Sequence, residues 1–308
     1  MKLATHVGHY NAPIDEEVKM EDGHKFQEVQ KPKYDCLLFD LDDTLYPYSS
    51  GICEQIAKNI EEYMIQKIGM EADKVAELNV PLYKTYGTTM AGLRAIGYVF
   101  EYDEYHSYVH GRLPYNVLLK PDPVLRGLLQ SLPIRKIIFT NADSNHAISA
   151  LKSLGLEDCF ERIISFDTLN PSNHTNPSYD KDGCESRPST AEILDFCERM
   201  RRLDSAMVLP RTPLVCKPFD EAFEYVFNLA DIDPQRTLFF DDSIRNLQTA
   251  KRLGLHTVAV GTSVRTAGVD YALESIHNMR EAFPELWDAE EKHEFVQYKA
   301  GIETSVKA

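Results

Sequence analysis

The chain has 308 residues, of which 43% are hydrophobic, and it can hold one large domain or a domain with a smaller companion. Its formal net charge of −15 and isoelectric point near 5.1 argue against non-specific binding to nucleic acid or anionic membranes, because the long-range field has the wrong sign. We therefore expect neither a nucleic-acid partner nor a membrane partner.

Residues 1–33 are polar and include a stretch of mixed charge, EEVKMEDGHK, which predicts a loosely ordered leader. The beginning of the chain lacks the uninterrupted apolar segment of a signal peptide, and no later stretch has the roughly 20 apolar residues of a membrane span. Six cysteines are scattered without a C-x-x-C pair, which favours buried free thiols over a zinc ribbon. These features predict a cytoplasmic protein.

From residue 34 onward, short apolar runs alternate with segments of helical periodicity, a pattern typical of a parallel sheet covered by helices. Four runs are predicted to be buried parallel strands: residues 36–39, 136–139, 237–240 and 256–260. Helices are predicted at 145–154 and 246–253, each followed by a glycine that suits a helix C-cap, and after Pro218. The expected fold class is α/β, with a core of residues 34–48 and 122–285.

Two long segments interrupt this alternation. Residues 49–121 show helical periodicity and are predicted to form a small helical cap, whose first apolar stripe consists of Ile52, Ile56, Ile60, Tyr63 and Met64. Residues 170–213 form an insertion within the core. Its first half is rich in Asn, Pro and Ser and predicts a loop, and TAEILDFCERMRRL in its second half predicts a surface helix.

Polar residues follow three of the predicted strands at their carboxyl ends, where an open parallel sheet binds its ligands. These residues, together with a lysine after the short apolar run PLVC, are Asp40, Asp42, Thr44, Thr140, Asn141, Lys217, Asp241 and Asp242. The set contains a candidate nucleophile, several metal ligands, a hydroxyl donor and a cation. Phosphoryl transfer through a carboxylate nucleophile requires these groups.

Roles within this set follow from the alternation of side chains along an extended backbone, which lets Asp40 and Asp42 share one face while Leu41 packs inward. Asp40, nearest the strand end, is the predicted nucleophile. Asp42 is the predicted general acid and base, which must be protonated when substrate binds. Crowding by Asp40, Asp241 and Asp242 favours that proton, whereas the metal and Lys217 oppose it. Thr140 and Lys217 complete the predicted catalytic residues.

Mg²⁺ is the expected cofactor, because it prefers oxygen ligands. Its predicted ligands are four aspartates: Asp40, Asp42 through its backbone carbonyl, Asp241 and Asp242. Six residues are predicted to bind phosphate or the rest of the substrate. They are Thr140, Asn141 and Lys217 of the core, and Tyr83, Tyr86 and Arg94 of the cap. Tyrosine is included because it can stack on a planar ring.

Some of these residues also have simpler explanations. D-x-D-x-T occurs in turns and helix caps, and Asp241 with its two successors also fits the N-cap of the following helix. Lysines are mostly solvated surface charges, and Thr140 could merely end a strand. His106 and His110, four residues apart, predict the surface of a helix and not a zinc site.

Four motifs in fixed order, each after an apolar strand, resemble those of the haloacid dehalogenase superfamily: DLDDT at 40–44, TN at 140–141, KP at 217–218 and DDS at 241–243. The resemblance covers residues 34–261. It implies a Rossmann-like parallel sheet with an inserted helical cap of the C1 type, and Mg²⁺-dependent phosphatase activity through an aspartyl-phosphate. Asp42 resembles the phosphatase branch, because the dehalogenases lack a proton donor there.

The runs LYPYSSGI, YKTYGTTMAGL and DDSIRNLQTAKRLGLHTVAVG resemble the pyrimidine 5′-nucleotidase-like branch, which implies nucleoside monophosphates such as UMP or CMP as substrates. Residues 170–213 are longer than the interval expected between the second and third motifs. Two alternatives stay open. One is a phosphatase of another small phosphoester or a sugar-phosphate mutase, and the other is an inactive relative that binds a protein partner. The oligomeric state is not predicted.

Overall fold

The computed structural model describes residues 33–171 and 210–287. Residues 1–32 of the predicted leader, the predicted loop from residue 172 onward and the predicted surface helix of the insertion lie outside these described residues. Within them, six strands form one parallel sheet in the order β3-β2-β1-β4-β5-β6. The strands are β1 (Cys36–Phe39), β2 (Arg135–Phe139), β3 (Arg162–Ile164), β4 (Thr237–Asp241), β5 (His256–Val260) and β6 (Tyr271–Leu273).

The four predicted strands are confirmed, and two strands were not predicted. The two, β3 and β6, lie at the edges of the sheet and have three residues each. A run of three residues is too short for its pattern to be read as a strand from sequence. The parallel sheet and its flanking helices confirm the expected α/β class.

Strand β1 lies near the middle of the sheet, between β2 and β4. Its side chains alternate between two apolar cores, with Leu37 and Phe39 on one face and Cys36 and Leu38 on the other. Helices cover both faces, so all four residues are buried. From β1 the chain continues to β2 and β3 on one side of β1, and then returns to form β4, β5 and β6 on its other side. The strand order therefore reverses at β1, and open parallel sheets bind ligands at the carboxyl end of such a position.

The described α-helices are α1 (Ile52–Gln66), α2 (Ala72–Tyr86), α3 (Thr89–Ala95), α4 (Tyr102–Val109), α5 (Tyr115–Leu118), α6 (Pro123–Gln130), α7 (Ser144–Leu154), α8 (Phe166–Leu169), α9 (Asp220–Ala230), α10 (Ile244–Arg252) and α11 (Met279–Ala282). Apolar residues of α6 and α7 belong to the core on one face of the sheet, and those of α9 and α10 to the core on the other. Helix α7 ends at Gly155 as predicted, with φ of 69°. In the described ranges, no helix is long and apolar enough to cross a membrane.

Helices α1 to α5 follow β1 and precede β2, in the segment predicted to be the cap. Apolar residues of α1 to α4 form a core that includes Tyr63, whose ring lies 5.0 Å from the ring of Tyr105 in an edge-to-face arrangement. Tyr115 and Leu118 of α5 pack against the sheet core instead. The predicted stripe of α1 is divided: Tyr63 and Met64 pack in this core, whereas Ile52 packs with the sheet.

Gly87, directly after α2, touches the backbone that carries Lys217. Its φ is +83°, and a Cβ atom there would lie 1.9 Å from the carbonyl oxygen of Lys217. A side chain at this position is therefore excluded both by backbone conformation and by space. This contact brings the end of α2 against the loop that carries Lys217.

Replacing Gly87 by Ala is expected to lower the free energy of unfolding by about 2 kcal/mol or more, because the backbone must move to remove the overlap. Gly127→Ala is the matched control. Gly127 lies within α6 and nothing surrounds its Cβ position within 4 Å, so alanine should stabilise by about 0.5–1 kcal/mol. Urea unfolding of both variants measures the difference, and equal stability of the two would contradict this prediction.

Candidate active site

The carboxyl ends of β2, β1 and β4 meet at one edge of the sheet, next to a cavity of about 200 Å³ that is also lined by residues of helices α1 to α4. Seven of the residues predicted for the site line this cavity: Asp40, Asp42, Tyr83, Thr140, Asn141, Lys217 and Asp242. Asp241, the last residue of β4, is fully buried behind them. The tertiary structure thus brings together residues that are up to about 200 positions apart in the chain.

Lys217 lies at the centre of this arrangement and is only 1% exposed. Its Nζ atom donates to Asp40 Oδ1 at 2.6 Å, to Asp241 Oδ2 at 2.8 Å and to the backbone carbonyl of Phe139 at 2.8 Å. These three acceptors match the three donors of an ammonium group. The lysine is therefore held in one orientation between the ends of all three strands.

Two further contacts hold this centre in place. Asn141 and Lys217 form a reciprocal pair, in which Asn141 Nδ2 donates to the Lys217 carbonyl at 3.0 Å and the Lys217 N–H donates to Asn141 Oδ1 at 2.9 Å. Thr44 Oγ1 donates to Asp40 Oδ2 at 3.2 Å. Asn141 was predicted to bind phosphate, and in the structure its side chain fixes the backbone of the lysine loop.

Asp241 accepts hydrogen bonds from its own strand-to-helix turn. The Ser243 N–H donates to Asp241 Oδ1 at 2.8 Å, and Asn246 Nδ2 lies 3.0 and 3.1 Å from the two carboxylate oxygens. Asn246 was not among the predicted residues. Its position near the start of the helix that follows the DDS motif is the signal that could have identified it.

Negative charge is concentrated at this edge. Burial raises the pKa of Asp40 above its ordinary value, Lys217 opposes the shift, and Asp241 reinforces it. Burial lowers the pKa of Lys217, but the two carboxylates outweigh this effect and raise it overall. The ammonium group is therefore charged, and on its own it leaves the carboxylates incompletely neutralised.

One carboxylate oxygen from each of Asp40, Asp241 and Asp242 lies within 4.8 Å of the other two. Three carboxylates in a site with excess negative charge are the donors that Mg²⁺ prefers. The residues present therefore fit a magnesium ion. The Asp42 side chain is not part of this cluster, which leaves only its backbone carbonyl for the predicted metal contact.

The side chain of Asp42 contacts His146 instead. Asp42 Oδ1 lies 2.7 Å from His146 Nε2 and also accepts a hydrogen bond from the Tyr46 hydroxyl. Burial raises the pKa of Asp42, but the charge and hydrogen bond of His146 outweigh burial and bring the pKa to about 2. In the free site, His146 therefore stabilises the carboxylate form of Asp42 and opposes the crowding that favours its protonation.

His146 is fully enclosed and was not identified from the sequence. Its Nδ1 atom lies 2.9 Å from the hydroxyl of Tyr115, and its Nε2 atom faces Asp42. Burial lowers the pKa of His146, but Asp42 outweighs burial and raises it overall. The only sequence signal is its place three residues after Asp143, which caps α7, and that spacing does not reveal the contact with Asp42.

The three cap residues predicted to bind substrate lie in different places. Tyr83 lines the cavity, and the guanidinium carbon of Arg245 lies 5.0 Å from the centre of its ring. Tyr86 is buried and donates to the Pro210 carbonyl at 3.0 Å. Arg94 is also buried, and its Nη1 atom donates to the Tyr98 carbonyl at 3.1 Å. Among the described residues, neither Tyr86 nor Arg94 is part of the cavity lining.

His106 and His110 are buried, which contradicts the prediction of a helix surface. The reason is that α4 packs against the start of α7, so the face that carries both rings is covered by Asp143 and Phe166. The spacing of four residues correctly placed the two rings on one face of a helix. It could not show what covers that face.

Comparison with known proteins gives a family and a set of similar folds. A family model described as haloacid dehalogenase-like hydrolase matches residues 34–254. The chain is 30% identical over 139 residues to Phosphate metabolism protein 8 of Saccharomyces cerevisiae, and the match spans 43% of each protein, less than half the length of that relative.

Among solved structures, the HAD hydrolase YfnB of Bacillus subtilis is similar with a TM-score of 0.48 and 18% identity, over 82% of this chain and 99% of that one. A HAD phosphatase of Thermococcus onnurineus is similar with a TM-score of 0.46 and 17% identity, over 80% and 97% of the two chains. The family model covers well over half of the sequence, including all four motifs. The chain therefore belongs to the haloacid dehalogenase-like hydrolase family.

Proposed function

We propose that the protein is a Mg²⁺-dependent phosphomonoesterase that forms an aspartyl-phosphate on Asp40. The observation that supports this most directly is the buried Lys217 ammonium, which contacts Asp40 at 2.6 Å and Asp241 at 2.8 Å. Asp40, Asp241 and Asp242 would hold the metal ion. When bound, Mg²⁺ supplies positive charge that offsets the charge of the phosphoryl oxygens.

In the first step, a carboxylate oxygen of Asp40 attacks phosphorus while the bond between phosphorus and the leaving oxygen breaks. Lys217 and Thr44 keep the attacking carboxylate in place through their hydrogen bonds to it. In the second step, water attacks phosphorus and the bond to Asp40 breaks, which releases inorganic phosphate. The chain must therefore provide a proton in the first step and accept one in the second.

Asp42 is our candidate for both proton transfers. Its Oδ1 atom is engaged by His146 and Tyr46, so Oδ2 is the oxygen that can face the substrate. The negative charge of an arriving phosphate raises the proton affinity of Asp42, because like charges disfavour its ionised form. Proton uptake at Asp42 would then accompany substrate binding, and His146 would orient the carboxyl group.

Replacing Asp42 by Asn is expected to lower kcat/KM for an alkyl phosphate such as UMP by about 10²–10⁴-fold, because the alkoxide leaving group needs a proton. The loss of kcat/KM for p-nitrophenyl phosphate should be much smaller, since p-nitrophenolate leaves without one. Initial rates with both substrates measure this difference. Equal losses with the two substrates would show that Asp42 does not act as the general acid.

The simplest test of the proposed activity uses purified protein and a phosphate-release assay. With Mg²⁺ we expect phosphate release from UMP and from p-nitrophenyl phosphate, and removal of metal with EDTA should abolish it until Mg²⁺ is added back. Activity that persists in EDTA would exclude the metal dependence. Mg²⁺ binding without any phosphate release would instead favour an inactive relative.

We propose a pyrimidine nucleoside 5′-monophosphate as the substrate. The resemblance of the cap and DDS segments to pyrimidine 5′-nucleotidases supports this, and so does the cavity wall, which combines Tyr83 and Arg245 with the apolar side chains of Ile56, Ile60 and Met90. An aromatic ring beside a guanidinium group can hold a nucleobase. A panel of nucleotides, sugar phosphates and small phosphoesters compared by kcat/KM tests this choice. Isomerisation of a sugar phosphate without net phosphate release would identify a mutase.

A further inference from the structure

Two histidines of the cap and one aspartate of the core meet beside His146, whose ring centre lies 4.6 Å from that of His110. His106 lies on α4, His110 directly follows that helix, and Asp143 is the N-cap residue of α7. His110 Nδ1 lies 2.5 Å from Asp143 Oδ1, and His106 Nδ1 lies 3.5 Å from the same oxygen. One nitrogen from each ring and one carboxylate oxygen lie within 4.8 Å of one another. None of the three belongs to the carboxylate cluster of the proposed phosphatase site.

His106 points to a ligand from outside the chain. It is only 6% exposed, yet neither of its ring nitrogens has a hydrogen-bond partner among the described residues. Leaving a buried polar group unsatisfied is destabilising. The ring is held in place by packing, with its centre 4.7 Å from that of Phe166 and 5.6 Å from that of Tyr105. A fixed imidazole with unused nitrogens beside a carboxylate is a typical metal ligand.

The protonation states suit a metal ion. Burial lowers the pKa of His106 to about 4 and also lowers the pKa of His110. Burial raises the pKa of Asp143, but its hydrogen bond with His110 outweighs this and holds it below the ordinary range. Near neutral pH the cluster therefore offers two neutral imidazoles and one carboxylate, the forms in which these side chains bind metals.

We propose that His106, His110 and Asp143 bind a first-row transition-metal ion, with Zn²⁺ the best match, and that this ion joins the cap to the core. Two imidazole nitrogens and one carboxylate oxygen suit zinc, whereas Mg²⁺ prefers a set made of oxygens alone. Three protein ligands leave one coordination position of a tetrahedral ion open, and two of the ligands, His106 and His110, line the cavity. The ion would tie α4, in the cap, to the start of α7, in the core.

The distances require only a small rearrangement. Ligands about 2.0–2.1 Å from a tetrahedral zinc ion are about 3.3 Å apart. The separation of 3.5 Å between His106 and Asp143 already agrees with this value. His110 and Asp143, now 2.5 Å apart and joined by a hydrogen bond, must separate by several tenths of an ångström as the ion replaces the shared proton. Asp143 Oδ2 points elsewhere, toward the backbone N–H of His146 at 3.4 Å, so the helix cap is compatible with metal binding through Oδ1.

The test is a titration of the metal-free protein with Co²⁺ in the presence of excess Mg²⁺. Mg²⁺ competes for the oxygen-only site of Asp40, Asp241 and Asp242, and it does not compete well for imidazole ligands. We expect Co²⁺ to bind with the visible absorption bands of a low-coordinate nitrogen and oxygen site. Zn²⁺ should displace it, and Zn²⁺ should raise the melting temperature of the protein.

His106→Phe removes both nitrogens and keeps a ring for packing against Phe166. Because the nitrogens make no hydrogen bonds with described residues, the metal-free variant should melt at or above the temperature of the original protein. It should lose the Co²⁺ bands, and its affinity for Co²⁺ should fall by about 100-fold or more. Even residues that only hydrogen-bond to a metal ligand contribute a factor of about 10–100 to metal affinity.

His277→Phe is the matched control. His277 is an exposed histidine whose Nε2 atom lies 2.7 Å from Asp122 Oδ2, outside the cluster, and its replacement should leave the Co²⁺ bands unchanged. Co²⁺ bands that are equally strong in His106→Phe, or the absence of such bands in the original protein, would overturn the proposal. Neither readout uses phosphate release, so this result and the outcome of the phosphatase assay are independent.

Discussion

The Asp40→Asn variant is expected to release phosphate at least about 10⁴-fold more slowly than the original protein, because an amide cannot form the aspartyl-phosphate. The fold should be retained. Asparagine has nearly the same shape, and Lys217 keeps its contacts with Asp241 and with the Phe139 carbonyl. Phosphate release measures the loss, and circular dichroism with urea unfolding checks the fold. Acid quenching during turnover should trap phosphate on the original protein and none on the variant.

Asp35→Asn is the control for this experiment. Asp35 directly precedes β1, at the opposite end of the strand from Asp40, and forms a surface ion pair with Arg236 at 2.6 Å. Surface pairs contribute about 0–1 kcal/mol, so this variant should remain active and folded. If Asp40→Asn retains the activity of Asp35→Asn, the nucleophile lies elsewhere and the proposed mechanism fails.

The Lys217→Met variant is expected to lose both activity and stability. Methionine fills a similar volume but leaves Asp40 and Asp241 as buried carboxylates without their cation, and removing one partner of a buried ion pair typically costs about 3–5 kcal/mol. Catalysis should fall by about 10³-fold, because the ammonium group no longer fixes the nucleophile or offsets phosphoryl charge. Urea unfolding and phosphate release measure the two effects.

The instability of Lys217→Met should depend on pH with a defined sign. Without the lysine, burial and mutual repulsion raise the pKa of the carboxylates in the folded state above that in the unfolded state. The folded state then binds more protons, so stability increases as pH falls from neutral toward the ordinary carboxyl pKa near 4. Urea unfolding at about pH 5 and pH 8 tests this. If Lys217→Met loses the same free energy of unfolding, relative to the original protein, at both pH values, the buried-charge explanation is contradicted.

Lys251→Met provides the matched surface substitution. Lys251 is 43% exposed and lies 2.8 Å from Asp270 Oδ1, so its replacement should change the free energy of unfolding by about 1 kcal/mol or less. Both variants remove one positive charge from the chain. If Lys217→Met and Lys251→Met lose a comparable free energy of unfolding, the burial of Lys217 is not the reason that its ion pairs stabilise the protein.

The sequence by itself determined the central strands and the group of residues at their ends. Four strands were predicted at their observed positions because alternating or continuous apolar runs form a local pattern. Asp40 and Asp241 were predicted to meet because parallel strands end at the same edge of a sheet. Lys217 was placed with them by its position in the motif order, and in the structure no strand directly precedes it among the described residues.

Only the tertiary structure decided which side chains pair with these groups. Asp42 and His146 are 104 residues apart, and nothing in either local segment indicates their contact. The same holds for the burial of His106 against Asp143 and for the inward packing of Tyr86 and Arg94, since helical periodicity places a residue on a face without identifying its neighbour. Protonation and metal affinity depend on those neighbours, because burial and nearby charge set the pKa. Protonation states and metal affinity therefore follow from how helices α1 to α4 pack against the sheet and its flanking helices.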